Sequence, residues 1–417
     1  MGARWEQLEC GLALLKINWG IGMMAMAYYI SLLGAPCGVA FFVFTMLITY
    51  LGVDRLLRAE DALDGDGDDG APDAALLPAE KRGKDATYAS VCRGALGPRY
   101  ETLACALIWL CSVSSCVAYA TFVADNGARF AGGPRWAWAA ALGGCALPGA
   151  LFLGDRLDSL RWCNAAGLGL GVLFSGLVVG KCGRRFGTLA AIFAALRRDA
   201  PTPAEAAANL PVAAGIAVFC NEGIVALAPS ARKDMSRAGR RAFRAVVAKT
   251  LVAFTVFYMA VGLSGAALYA DVSSELALSF SENPLDAVAV MAYVLQLVPT
   301  SVIVFFLAFE TAEGWCARRS GRDARASLPR NRVLAGRVAT VVACAVAGAA
   351  VPRFGDFLAL TGSVSNAATI YVLPHLMFFR CVPDAPRGEK ALSYANVVFG
   401  VVSGVVGTVQ SARGLFA

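Results

Sequence analysis

The sequence predicts an all-α integral membrane protein with about eleven transmembrane helices, a single transmembrane domain over residues 1–417. Composition is the first reason. Hydrophobic residues make up 58% of the chain and charged residues 16%, against about 45–50% and about 25% in an ordinary soluble domain. Mean hydropathy is +0.60. These values exclude a soluble enzyme, a disordered chain and a disulfide-built secreted module. Spacing is the second reason. Crossing a hydrocarbon core of about 30 Å takes about 20 apolar residues. Runs of that kind lie at about 12–32, 36–52, 101–123, 136–154, 162–180, 208–229, 247–270, 285–309, 334–351, 356–379 and 392–411.

The first run is followed by no small-residue cleavage site, so it reads as span 1 and not as a signal peptide. Lys and Arg then orient the set. With the N-terminus cytoplasmic, 28 of the 37 basic residues fall on the inner side and 9 on the outer. Positive charge collects inside, which predicts a cytoplasmic N-terminus and a C-terminus on the opposite side. The segment 181–207 opposes the trend with Lys181, Arg184, Arg185, Arg197 and Arg198. The same rule accounts for the net charge of +7 without nucleic acid. The 13 cysteines are scattered, mostly inside apolar runs, and there is one histidine. Buried thiols act as small hydrophobes, so no metal, redox group or other cofactor is expected.

Residues 54–99 form the one long polar stretch, expected as an acidic, partly disordered cytoplasmic loop. Its DALDGDGDDGAPD core has calcium-loop colouring. Counted from Asp64, however, Asp69 stands where such a loop needs Gly and Ala75 where it needs Glu.

Spans 1 and 6 carry the functional signal. Span 1 reads LLKINWGIGMMAMAYYISLLG, with Gly20 and Gly22 in mid-run, where each glycine costs about 1 kcal/mol of helix propensity relative to Ala. Span 6 reads VAAGIAVFCNEGIVALAPS, with Asn221, Glu222 and Gly223 in mid-run and Pro229 beyond. Interrupted spans at corresponding places in two halves point to a secondary transporter's binding site. The halves are 12–180 and 208–379, five spans each. Five is odd, so the second half inserts upside down, and span 11 at 392–411 is an addition. Unwinding near Gly20–Gly22 frees N–H groups that must meet a cavity or ligand, and such groups suit a carboxylate. Close helix packing is the competing role for these glycines. Glu222 is a mid-membrane carboxylate and hence a candidate for proton exchange; bracing the kink is the alternative. Glu310 and Glu313 sit near the inner end of span 8, and His375 near the cytoplasmic end of span 10 is expected to be structural.

The string FCNEGIVALAP resembles the helix 6 motif of the amino acid/auxin permease family, above all its proton-coupled and vacuolar branches. TYASVCRGALGPRYETL and CVAYATFVADN are similar to that family's approach to span 3 and to span 3 itself. VGLSGAALYADVSSELALSF resembles the end of span 7 and the loop beyond it. AVPRFGDFLALTGSVSNAATIYVLPHLMF is the most specific likeness, and VFGVVSGVVGTVQS resembles the last helix. The resemblance runs along nearly the whole chain. It implies a LeuT-type fold with 5+5 inverted repeats plus one helix, carrying amino acids by symport. It implies a substrate site from Asn18, Gly20, Ile21 and Gly22 on span 1, Tyr119 on span 3, and Phe219, Asn221 and Gly223 on span 6, with Glu222 for proton coupling. The Phe122 region is expected to help wall the pocket. Ala27 stands where the family usually has proline, and Asn221 replaces an aromatic residue before the glutamate, so pocket polarity and substrate choice are expected to differ.

The expected partners are therefore an amino acid, a proton and the lipid bilayer, in a vacuolar, lysosomal or plasma membrane. Sodium is the alternative ion, held by Asn18, Thr300 and Ser301. An amino acid sensor of the same fold is a second class. An intramembrane enzyme is a third, but the spans offer no paired catalytic groups.

Overall fold

The computed structural model describes residues 3–64, 87–152, 161–233, 235–281, 283–319 and 329–416. Span 1 is broken: α1 (Ala3–Asn18) leads through a 3-10 turn (Ile21–Ala25) into α2 (Met26–Leu33), bent by 52°. Span 2 is α3 (Ala35–Asp64) and runs a further twelve residues past its expected end at 52, so the polar stretch opens as helix. Asp54, Glu60 and Asp61 lie on that extension, where arginines hold them. The calcium-like core at 65–75 lies outside the described residues. After it comes α4 (Tyr88–Leu96), started by a reciprocal Thr87–Ser90 capping pair.

Spans 3 to 5 are α5 (Pro98–Ala131), α6 (Arg135–Phe152) and α7 (Arg161–Phe186). A short α8 (Leu189–Arg198) follows, with Leu189 and Phe193 exposed. Span 6 is α9 (Pro203–Cys220) and α10 (Glu222–Lys233), and span 7 is α11 (Arg237–Leu268). Beyond a loop holding the 3-10 turn Leu276–Ser279 come α12 (Pro284–Arg319) and α13 (Arg330–Ala350). Span 10 is α14 (Phe354–Thr361), a π-helical stretch (Gly362–Val372) and α15 (Leu373–Cys381); α16 (Arg387–Phe416) is span 11.

Among the described residues nine helices are long and apolar enough to cross a membrane, and the broken span 1 makes ten. The eleventh is α6. Contacts sort the loops onto two faces. On one, Glu6 accepts from Ser236, Arg232 and Arg244 pair with Glu60 and Asp61, Arg58 pairs with Glu389, and Arg318 with Glu101. On the other, Arg135 pairs with Asp125 and reaches the Val351 carbonyl, Arg185 reaches the Leu268 carbonyl, and Arg353 reaches the Gly414 carbonyl. The start of α6 and the end of α7 thus share a face, so α6 must cross for α7 to return.

The two breaks differ in depth. Span 1 leaves helical geometry at Trp19 and Gly20, the latter extended at φ −108° and ψ −159°. Span 6 yields only at Asn221, whose Nδ2 donates to the Ala217 carbonyl and so closes α9 locally. The π-helical stretch in span 10 lies against α9, where the backbones nearly touch: a Cβ on Gly362 would run into the Gly215 carbonyl oxygen. Such stretches are frequent at functional sites.

Candidate functional site: the break in span 1

Breaking a membrane helix strands carbonyls as well as N–H groups, and each needs a partner. Two tyrosines take the carbonyls. Tyr258 on α11 donates its hydroxyl to the Asn18 carbonyl at 2.7 Å, and Tyr293 on α12 donates to the Gly20 carbonyl at 2.9 Å. Both rings are fully buried. At the start of a helical turn the first N–H groups have no acceptor one turn back. Here those belong to Ile21 and Gly22, and these residues line a cavity.

Asn18, Gly20, Ile21 and Gly22 meet Tyr119 of α5, Phe219 and Cys220 of α9, and Tyr258 around that cavity. Six of the expected site residues are therefore brought together. Cys220 and Tyr258 are additions that the sequence did not single out. Asn221 is buried at the neighbouring break, and Gly223 is the second residue of α10; neither lines the cavity. Phe122 is buried edge-on against Tyr293 and supports the wall from behind. The backbone of Glu222 begins α10, while its side chain lies outside the described residues.

Each buried polar atom without a partner needs an explanation, and a ligand-contacting role is one. The Asn18 amide donates Nδ2 to the Leu14 carbonyl at 2.8 Å, which leaves its Oδ1 buried and unpartnered among the described residues. The Asn221 Oδ1 and the Trp19 Nε1 are in the same condition. An amide oxygen suits an ammonium donor, and backbone N–H groups suit a carboxylate. Among the described residues, the cavity lining contains no charged side chain.

Two of the three residues expected for sodium, Thr300 and Ser301, already make hydrogen bonds within the protein. Thr300 Oγ1 accepts from the ammonium of Lys16 at 2.8 Å and donates to the Gln296 carbonyl at 3.0 Å. Ser301 donates to the Val298 carbonyl at 2.7 Å. Lys16 is itself buried, at 3% exposure, and its polar position inside an apolar run was the signal for it. His375 is buried with Nε2 3.1 Å from the Asn396 amide, in a structural setting. Glu313 is held by both nitrogens of the Arg337 fork at 2.7 and 2.9 Å, near the C-terminal end of α12.

Three similarities bear on this arrangement. A solved manganese transporter from Eremococcus coleocola superposes with a TM-score of 0.54 at 12% identity, covering 100% of this chain and 90% of that one. It shows a shared transporter fold of the LeuT type. The amino acid transporter AVT1H of Arabidopsis thaliana is 25% identical over 347 residues, 79% of this chain and 76% of its own length. The Arabidopsis amino acid transporter ANT1 is 28% identical over 219 residues, half of this chain and half the length of that relative. Residues 8–413 match the family described as transmembrane amino acid transporter protein. With nearly the whole length matched, from before the span 1 break to the end of span 11, the chain belongs to the transmembrane amino acid transporter family.

Proposed function

We propose that this chain is a secondary active transporter of neutral amino acids, coupled to protons, that works by alternating access around the span 1 break. The observation that carries this is the cavity where Asn18 and Gly20–Gly22 face Tyr119, Phe219 and Tyr258. The carboxylate is assigned to the backbone N–H groups of Ile21 and Gly22, and the α-ammonium to Asn18 Oδ1. Apolar and aromatic walls without charge favour neutral side chains, because a charged one would be desolvated without a partner. Names of relatives add support: two are amino acid transporters.

The coupling ion follows from two considerations. Thr300 already holds a cation of the chain itself, which disfavours sodium there. Glu222 is a carboxylate in the middle of span 6, a position expensive enough to imply function. Uptake of labelled amino acids into proteoliposomes, at two external pH values with the membrane potential clamped, tests both parts. Neutral amino acids should accumulate with an inward proton gradient and not with sodium alone. Glu222→Gln should abolish gradient-driven uptake while exchange across the membrane persists, since the amide and the protonated acid are near-isosteres. A Gln variant with wild-type pH dependence would remove Glu222 from coupling; sodium-driven, pH-insensitive uptake would overturn the proton assignment.

A further inference from the structure

Lys16 stands on the last turn of α1, two residues before the helix ends at Asn18. Its Nζ donates to Gln296 Oε1 at 2.7 Å and to Thr300 Oγ1 at 2.8 Å, both on α12. Both acceptors are neutral. A third helix makes the room: a Cβ on Gly167 of α7 would lie 3.1 Å from Nζ and 3.3 Å from Cε. The ammonium thus fills a niche between three helices, 3% exposed. A buried ammonium on neutral acceptors has given up most of its hydration for little Coulombic return, so its presence needs a reason beyond packing. Placement supplies one. The C-terminal end of a half-helix carries partial negative charge, and in transporters such ends, with freed carbonyls, are where coupling cations are held. The Asn18 carbonyl beside it is such a freed group.

We infer that Lys16 is a tethered cation: its ammonium occupies the place where an exchangeable cation would otherwise bridge α1 to α12, and holds the inner half of span 1 against the bundle. The inference rests on the transporter reading above. It makes α1 a latch whose bridging charge cannot leave the protein, so closure of the inner half needs no sodium. Thr300 serves this role through its hydroxyl, which passes its own proton to the Gln296 carbonyl and so turns a lone pair toward Nζ.

Chemical rescue tests it on the purified full-length protein. For the wild type, the unfolding midpoint and proteoliposome uptake should be the same in sodium chloride and choline chloride of equal concentration. Lys16→Ala opens the niche. Its uptake in choline should fall at least tenfold, and sodium or ethylammonium should raise its midpoint and return part of the uptake. Lys16→Met keeps the stem but not the charge; it should lose uptake to the same degree and respond to neither cation. If Lys16→Ala does not reach the membrane folded, Thr300→Val joins Lys16→Met, and both should cut uptake without conferring sodium dependence. Sodium-dependent uptake in the wild type, wild-type rates in Lys16→Met, or no cation response in a folded Lys16→Ala would each overturn the inference. The midpoint measurement needs no amino acid. Rescue of the midpoint in a protein that carries no amino acid would therefore sink the functional reading and leave the tethered cation standing.

Discussion

Glu275 lies in the loop between α11 and α12, outside the spans, yet it is completely buried. Burial pushes its carboxyl well above the ordinary carboxylate value of 4.5, and Asp125 pushes the same way. The Asn126 amide, Arg135 and Arg129 oppose them without prevailing. The geometry agrees with a retained proton. Asn126 Nδ2 donates to Glu275 Oε1, while Glu275 Oε2 and Asn126 Oδ1 are both buried and unpartnered among the described residues. A proton on Oε2 would let the acid and the amide satisfy each other. The sign for stability follows by linkage. The folded protein holds this proton where the unfolded chain has lost it, so stability falls as pH rises above about 4.5 toward the raised value, and is level below. Glu275→Gln supplies a permanent N–H in the same place. Its unfolding midpoint in detergent should exceed that of wild type at about pH 7.5, match it at about pH 4, and change less between the two. An unchanged pH slope in the variant would show that another group sets it. Nothing near Glu275 in sequence announced this role, because Asn126 is 149 residues away.

At the scale of elements, the paired breaks were legible because glycine and a polar triplet inside apolar runs have few other causes. Their depth was not. Whether span 6 unwinds or merely turns depends on the Asn221 side chain reaching back to Ala217, and on α9 lying flush against span 10 through Gly215. The tyrosine caps on the span 1 carbonyls were equally hidden, since they come from 240 and 273 residues away. Gly22 shows how packing and binding meet in one residue. A Cβ there would lie 2.8 Å from Cys220 Sγ but 3.5 Å from its Cα, so the sulfur alone stands in the way. Overpacking of that kind costs about 1–3 kcal/mol. Gly22→Ala should therefore weaken substrate binding by about tenfold, as about 1.4 kcal/mol implies. Gly22→Ala with Cys220→Ala should recover most of it, because the proposed carboxylate contact is made by N–H groups and does not require the absence of a Cβ. If the double variant binds no better than the single one, the methyl group enters the substrate's own space. Gly22→Val, with its branched side chain, should abolish binding in either background while the protein inserts normally.

At the scale of the whole molecule, the charge count and the contact map constrain different things. Contacts place Glu6 with Ser236 on one face and Arg353 with Gly414 on the other, so the two ends of the chain are separated by the bundle. They do not say which face is cytoplasmic. That assignment is proposed from charge, with 28 basic residues against 9. The outlying basic segment 181–207 belongs to the poorer face, and the structure shows why it is tolerated there. Lys181 pairs with the fully buried Asp286 and lies over the Phe280 ring, Arg185 is bound to the Leu268 carbonyl, and Arg198 pairs with Asp199. These contacts hold several of the charges at the ends of α7 and α8. The expected topology is accordingly a cytoplasmic face carrying residues 232–246 and 318–333, with α8 and the chain beyond Ser411 opposite. Single cysteines at Gly388 and Gly414, in a background without reactive thiols, test it with a membrane-impermeant reagent on sealed vesicles. Gly388 is exposed and faces open space, and Gly414 lies near the end of its helix, where a Cβ would meet the Asp356 carboxylate at 2.9 Å and that side chain must give way to the thiol. Gly388 should label only when the cytoplasmic side is exposed, and Gly414 only from the other side. Labelling of both from one side would show that α16 does not cross the membrane and would overturn the eleven-span arrangement.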